Sequence, residues 1–186
     1  HADIDALPDD VRQLVVSRVD RLSPENQHLI RVAAVLGETF TLEALRWVGE
    51  VATLRQVEAL AQELVQAQLL KELEPQLFAF RHGMTQLVIY ETLSRAQRVK
   101  LHRATAEYYR NLPASEAQPI QAAHHLAKCG LLPQAIEILT AAAESAEEAG
   151  KIDEAIASIA FALALMPDDK SLQTKLEALR QMAAVA

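Results

Sequence analysis

Side chains that could bind a metal or take part in catalysis are few in this sequence, and their spacing suits neither task. His124 and His125 are adjacent, so on a helix their rings would point about 100° apart, whereas two histidines that share a metal stand four residues apart. No cysteine or acid stands at ligand spacing from the isolated histidines His28, His82 and His102. The single cysteine, Cys129, has no disulfide partner. We therefore expect structural histidines and no metal site.

Short catalytic motifs are also missing from the chain. It contains no phosphate-binding loop, no dinucleotide-binding glycine pattern, no serine-nucleophile elbow and no histidine pair of the zinc-protease type. Nothing else in the sequence indicates enzymatic activity. We expect a non-enzymatic protein that carries no cofactor of its own.

Positive charge is concentrated in one stretch of an otherwise acidic chain. The formal net charge is -7 at pH 7, and nonspecific binding to DNA needs lysines and arginines that neutralise phosphates. This balance argues against DNA as a partner. The densest basic cluster consists of Arg95, Arg98, Lys100 and Arg103. Two interpretations stay open: a solvated helix face, or a docking surface for an acidic partner or a phosphate.

The expected location is the cytoplasm. No apolar run approaches the roughly 18 residues of a transmembrane helix, and the first residues lack the basic and apolar regions of a signal peptide. A single cysteine does not suit a secreted scaffold held together by disulfides. We expect no membrane partner.

Helices must position these side chains, and the first half of the sequence has four clear helix starts. They share a capping side chain or a proline ahead of an apolar stripe, and they lie at Pro8, Ser23, Thr41 and Thr53. Gly37 and Gly49 end the second and third helices. The fourth runs from Thr53 to Gln68, and its expected inward residues are Leu54, Val57, Leu60, Ala61, Leu64 and Val65.

The stretch from Leu69 to Leu93 breaks the helical pattern. Two short apolar runs, the second being Leu77 to Phe80, flank a turn at Pro75, which is typical of a β-hairpin. Helical spacing resumes at about Met84 to Ser94 and continues over Arg95 to Leu112. Three helices followed by a hairpin have the order of a winged helix-turn-helix.

The last third of the sequence repeats itself. The string Gly130, Leu132, Ala135, Leu139 and Ala142 is echoed twenty residues later by Gly150, Ile152, Ala155, Ile159 and Ala162. This pattern resembles the tetratricopeptide repeat, in which glycine ends one helix and alanine lets its neighbour pack closely. Four helices are expected, at about 119–129, 133–148, 152–166 and 170–184. Pro113 to Pro119 is expected to be a linker.

The expected fold is therefore mainly α. It is a winged helix-turn-helix with a small β-hairpin wing, followed by an α-helical, tetratricopeptide-like stack. The expected domains are residues 1–94 for the winged helix, 95–118 for a connecting basic helix and linker, and 119–186 for the repeats. Two helix pairs fall short of the three or more repeats that such stacks need, so we expect the stack to lean on preceding helices or to continue beyond Ala186.

The order of these elements resembles one known class of proteins. It is similar to the segment just downstream of the ATPase core in bacterial signal-transduction ATPases of the STAND class, which includes large transcriptional activators and cyclase-linked regulators. The resemblance covers roughly residues 7–109 and, with the repeats, extends to about 167. It rests on Leu7-Pro8, Val19-Asp20-Arg21-Leu22, Ala33-Ala34-Val35-Leu36-Gly37 with Phe40, Phe80-Arg81-His82 with Tyr90-Glu91, and Leu101-His102-Arg103 with Ala106.

The resemblance implies a regulatory role. In that class the winged helix folds back on the nucleotide-binding core and helps to hold its ADP-bound resting state, while the repeats sense a protein or an inducer. Related eukaryotic and plant members have a Met-His-Asp motif at the wing end, which Arg81-His82-Gly83 matches in the histidine alone. His82, with Arg81, is therefore expected to contact ATP or ADP held by an ATPase domain outside this chain. The alternative is a local hydrogen bond from His82 that holds the wing against the next helix.

Two other functions stay open. A free-standing winged-helix transcriptional regulator would read DNA with the helix from Thr53 to Gln68, but Arg55 is its only basic residue, against Glu58 and Glu63. A plain tetratricopeptide scaffold would capture a protein partner with no dependence on nucleotide. The favoured interpretation is the regulatory arm of a nucleotide switch.

Overall fold

The computed structural model of the protein describes residues 9–185. In that range the chain is mainly helical, with ten α-helices and one small antiparallel sheet of three strands. Backbone contacts divide it into two compact units, the first ending at Thr105 and the second beginning at Ala106. The domain limits expected from the sequence stay a prediction. The expected helix start at Pro8 and the Leu7-Pro8 part of the resemblance lie outside the described residues.

The first unit consists of six helices and the sheet, with the last helix continuing past Thr105. Its elements are α1 (Asp9–Asp20), α2 (Pro24–Leu36), β1 (Thr39–Thr41), α3 (Leu42–Val48), α4 (Leu54–Gln66), β2 (Leu70–Glu74), β3 (Leu77–Phe80), α5 (Gly83–Thr92) and α6 (Arg95–Arg110). Three helix starts are capped as the sequence predicts, because the side chains of Ser23, Thr41 and Thr53 each accept a backbone N–H of the first turn. Helix α2 packs against α3, α4 and α5.

The sheet has β3 at its centre, in the order β1-β3-β2. The hairpin of β2 and β3 agrees with the sequence prediction, whereas β1 was not predicted. Phe40 of β1 pairs with Phe78 of β3, and Leu70 of β2 pairs with Phe80. All four side chains are buried. One face of the sheet therefore closes the core of the first unit, and the other faces outward.

Helix α4 turns a narrower face inward than the sequence predicts. Val57, Ala61 and Leu64 are buried, but Leu54 is 44% exposed. The prediction for Leu54 is wrong because this residue opens α4, one turn before the residues that pack. Two hydrogen bonds from side chains to backbone carbonyls hold neighbouring helices to the core. The Arg18 guanidinium of α1 donates to the Ala67 carbonyl at 2.7 Å, and the Gln86 amide of α5 donates to the Ala34 carbonyl at 2.7 Å.

The second unit contains the last turn of α6 and four further helices. These are α7 (Pro119–Lys128), α8 (Leu132–Glu148), α9 (Ile152–Leu165) and α10 (Lys170–Val185). Each packs on the next, and their ends agree with the predicted ranges to within one residue. A short 3-10 helix, Ala114–Glu116, lies in the expected linker. The core of this unit is rich in alanine. Gly130 and Gly150 follow the ends of α7 and α8 and have positive φ angles of 85° and 71°, which glycine adopts readily.

None of the helices in residues 9–185 combines the length and the apolar composition needed to cross a lipid bilayer.

Candidate functional site

Arg81 and His82 form the connection between β3 and α5. The backbone is held from both sides, since the N–H of Phe80 donates to the Glu38 carbonyl and the N–H of Arg81 donates to the Leu69 carbonyl, each at 3.0 Å. His82 is extended, with φ of -137°, and immediately precedes α5. Both side chains are exposed. The fold thus presents Arg81 and His82 to solvent at the N-terminal end of a helix.

The His82 ring makes no hydrogen bond to any residue in the described range. Its backbone carbonyl alone acts locally, accepting the N–H of Thr85 at 2.9 Å. The local hydrogen bond considered from the sequence is therefore absent, and the imidazole is available to a partner. Its contact with a nucleotide stays a prediction.

The sheet brings a second cation, Lys71, beside Arg81. Lys71 of β2 is the cross-strand partner of Ala79, and Thr39 of β1 pairs with Ala79 from the other side. Side chains alternate between the faces of a strand, so Arg81, two residues after Ala79, continues the same outward face. Strand register thus collects residues from three separate segments of the chain.

These side chains border a cavity of about 240 Å³ on the outward face of the sheet. Its wall consists of Glu38, Thr39, Lys71, Leu73, Ala79, Phe80, Arg81 and Gly83. The small side chain of Ala79, which is 4% exposed, leaves room between its longer neighbours. The volume lies below the 300 Å³ or so of sites that enclose whole drug-sized ligands. It suits one charged group, such as a phosphate or a carboxylate.

The charges around this cavity favour an anion. Lys71 and Arg81 form no ion pair with another described residue. The one acid of the wall, Glu38, places a carboxylate oxygen 3.0 Å from where a Cβ on Gly83 would stand, close to the positive end of the α5 dipole. Two unpaired cations therefore border the cavity against a single carboxylate, which itself lies at the N-terminal end of α5.

The predicted docking residues Arg95, Arg98, Lys100 and Arg103 lie on α6 within the first unit. At 3.6 residues per turn they spread over about 200° of the helix circumference, so they do not share one face. The Lys100 ammonium lies 3.8 Å from the Glu50 carboxylate, and both side chains are exposed. Arg95 and Arg103 have no ion-pair partner in residues 9–185. Docking at these residues stays a prediction.

Arg98 has a structural role at the junction of α5 and α6. Its guanidinium donates to the carbonyls of Leu93 and Glu91 at 3.1 and 3.0 Å and lies 4.7 Å from the centroid of the Tyr90 ring. The Tyr90 hydroxyl in turn is hydrogen-bonded to Nε2 of buried His102 at 2.9 Å. Burial raises the pKa of Tyr90. A partner that bound Arg98 would have to break these contacts.

The two adjacent histidines take part in the packing of the second unit. His125 is 2% exposed and stacks on Tyr109, with ring centroids 5.7 Å apart. His124 meets it edge-on, and burial, followed by the charge of Lys128, lowers the pKa of His124. Across residues 9–185, no three histidines, cysteines or acids are grouped so as to hold a metal ion.

Sequence reasoning found Arg81 but missed Lys71 and Thr39. The signal that could have found them is the hairpin itself, because a short turn at Pro75 places residues of β2 opposite residues of β3. The register is shifted by an irregularity between Glu72 and Glu74. Counting back from the turn without that shift does not place Lys71 correctly.

No protein-family model, curated protein or solved structure matches this chain.

Proposed function

We propose that this chain is a non-enzymatic regulatory region of a larger signalling ATPase of the STAND class. Its first unit is a winged helix that docks on the ATPase core, and its second unit is a tetratricopeptide-like stack that binds a protein or an inducer. ATP or ADP binds to the core, which lies outside this chain. The nucleotide state decides whether the winged helix is docked or released.

The order of elements in the first unit supports a winged helix. Helices α2, α3 and α4 pack on one another and are followed directly by the hairpin of β2 and β3. The pairing of β1 with β3 gives that hairpin a third strand and anchors it to the helices through buried phenylalanines. A hairpin fixed in this way can present its outward face to another domain.

The surface of α4 disfavours DNA reading by this winged helix. In a DNA-binding member α4 would enter the major groove, where a helix needs side chains that pair with base edges and phosphates. Its exposed residues include one cation, Arg55, and two acids, Glu58 and Glu63. A docking role suits this helix better.

The unpaired cations Lys71 and Arg81 beside exposed His82 carry the proposal. The two cations border a cavity sized for one anionic group, and exposed His82 follows Arg81 directly at the same end of the wing. In the docked state these side chains contact the phosphates of ADP in the ATPase core. Loss of that contact frees the winged helix and moves the repeats.

The test uses the intact ATPase loaded with a fluorescent ADP analogue. Replacing both cations, Lys71→Gln with Arg81→Gln, removes the charge and keeps much of the side-chain length. ADP release, followed by stopped-flow fluorescence, should accelerate about tenfold or more, because a hydrogen bond to a charged group is worth roughly 1.5–3 kcal/mol and about 1.4 kcal/mol corresponds to tenfold. His82→Ala should change the rate in the same direction.

The matched control is Arg21→Gln, which removes an exposed cation of the same unit, away from the cavity wall and from α4. Its ADP release should equal that of the unmodified protein. Unchanged release in both the double variant and His82→Ala would contradict the proposal.

A further inference from the structure

The second unit contains a cavity of about 720 Å³, a volume typical of sites for small organic ligands. It lies between the last turn of α6, the segment 112–119 and the helices α7, α8 and α9. The wall residues that decide its chemistry are Tyr109, Arg110, Ala142, Ser145, Lys151 and Glu154. All belong to the same compact unit.

Small side chains create this space. The cavity is lined by Ala142 and Ala146 of α8 and by its C-cap residue Ala149, and Ala122 of α7 also contributes to the wall. In the repeated sequence pattern Ala142 corresponds to Ala162, which is fully buried, whereas Ala142 is only half-buried. The alanines that bring helices together elsewhere in the unit thus leave a groove here.

Tyr109 gives the wall a fixed aromatic ring and a free donor. Its ring stacks on buried His125 and meets Tyr108 edge-on, with centroids 5.7 and 5.3 Å apart. The Tyr109 hydroxyl has no hydrogen-bond partner in residues 9–185. Burial raises the pKa of Tyr109, so the hydroxyl keeps its proton. It is a donor that an incoming ligand can use.

The cavity wall carries a net positive charge within an acidic unit. Residues 106–186 contain six lysines and arginines against eleven acids. On the wall, however, Lys151 is paired with Glu154 at 3.0 Å, and Arg110 forms no ion pair with a described residue. Arg110 is thus a cation without a counter-charge beside a partly apolar cavity.

From these observations we infer that the cavity binds a small organic acid. The apolar part of the ligand packs on the alanines of α8 and on Ile138, and its carboxylate pairs with Arg110, with the Tyr109 hydroxyl as a second donor. One unpaired cation and one neutral donor suit a monoanion, and a guanidinium suits the two oxygens of a carboxylate. The inference rests on the proposed function in one respect: it gives the inducer a binding site and a chemical class.

Binding is tested on this chain alone with two probes of nearly the same shape, 4-phenylbutyrate and its neutral amide, of which only the first carries a charge. Isothermal titration calorimetry should show saturable binding of the acid, at least about tenfold tighter than binding of the amide, because the amide cannot form the charge-assisted pair with Arg110. In ¹H–¹⁵N spectra of the protein, addition of the acid should change the chemical shifts of the backbone N–H groups of the cavity wall.

Two kinds of variant separate charge from shape. Arg110→Gln should abolish the preference for the acid over the amide. Ala142→Leu should fill the cavity and weaken both probes at least about tenfold, and Ser145→Leu, at an exposed wall position, serves the same purpose if Ala142→Leu does not fold. The matched control is Arg180→Gln, an exposed cation on α10 outside the wall, which should bind both probes normally.

Equal affinity for the acid and the amide would overturn the inference. So would undiminished binding in Arg110→Gln, or the absence of saturable binding at the solubility limit of the probes. The proposed nucleotide contact involves residues of the first unit and is read out by ADP release. The two proposals can therefore fail separately.

Discussion

The two compact units differ in how much of their interiors is alanine. In the first unit most of the fully buried side chains are large, among them Leu29, Ile30, Leu45 and Phe78. In the second unit Ala123, Ala135, Ala143 and Ala155 are fully buried. Large side chains fill a core completely, whereas alanine brings helix backbones close and leaves grooves wherever a neighbouring helix is missing.

This difference determines where the candidate site of each unit lies. In the first unit the candidate site lies outside the core, on the outward sheet face, where strand register places Lys71 beside Arg81. In the second unit the candidate site is a gap between helices, lined by alanines. The first site is therefore sensitive to changes in strand pairing, and the second to side-chain volume.

The largest expected effect is on the first core. Phe78→Ala should lower the free energy of unfolding by about 3–5 kcal/mol, because it removes a ring that is 1% exposed and leaves a cavity. Guanidinium denaturation followed by circular dichroism measures this change. Leu73→Ala, at a residue 48% exposed on the outward face, should change it by less than about 0.5 kcal/mol. A loss under about 1 kcal/mol for Phe78→Ala would contradict a core built on this ring.

A pair of adjacent substitutions tests the alanine core. Ala143→Leu should destabilise the protein by about 1–3 kcal/mol, because residue 143 is fully buried and a leucine there overpacks the helices. Ala142→Leu should cost less than about 1 kcal/mol, because its side chain enters the cavity. The same denaturation experiment measures both. Equal losses for the two variants would mean that the groove beside α8 is not open.

The tyrosine hydroxyls of the two units should differ by a smaller amount. Tyr90→Phe removes the hydrogen bond to buried His102 and should cost about 1 kcal/mol. Tyr109→Phe removes a hydroxyl that has no partner within residues 9–185 and should be nearly neutral. Thermal or chemical denaturation of the two variants side by side gives the comparison. A larger loss for Tyr109→Phe than for Tyr90→Phe would reverse it.

The smallest effect concerns pH and the second unit. Burial lowers the pKa of His124 below the usual histidine value of 6.5, so below pH 6.5 the unfolded chain binds a proton at this site more readily than the folded protein. Stability from this group is complete above that pH and is lost as pH falls toward the folded pKa. His124→Gln should reduce the fall in denaturation midpoint between pH 7.5 and pH 5.5. A fall of the same size in His124→Gln and in the unmodified protein would contradict this expectation.

Helix positions could be predicted from the sequence because capping side chains and glycines close to each end determine where a helix begins and ends. Ser23, Thr53 and Gly37 act on the backbone within one turn, and the structure uses each of them as a cap. The four helices of the second unit follow from the repeated glycine and alanine pattern. The exposure of Leu54 was missed because periodicity gives the direction of a side chain but not the extent of the core beside it.

The parts of the two candidate sites that could not be predicted depend on contacts distant in sequence. Strand β1 is three residues long, Thr39–Thr41, and exists through its pairing with β3. Lys71 lies beside Arg81 because the pairing of β2 with β3 is shifted by an irregularity, and the turn residues do not reveal that shift. The cavity beside Arg110 arises from the packing of α7, α8 and α9, which no single helix encodes.

The measurement that tests the central claim most directly is a titration of this chain with pyrophosphate, followed residue by residue in ¹H–¹⁵N spectra. We expect weak, saturable shifts at the amides of Lys71 and Ala79 and from Arg81 to Gly83, and their loss in the variant with Lys71→Gln and Arg81→Gln. That result would identify the outward sheet face as the anion site of the first unit. Shifts confined to residues 95–103, or shifts unaffected by the double variant, would contradict the account and favour the basic cluster of α6 instead.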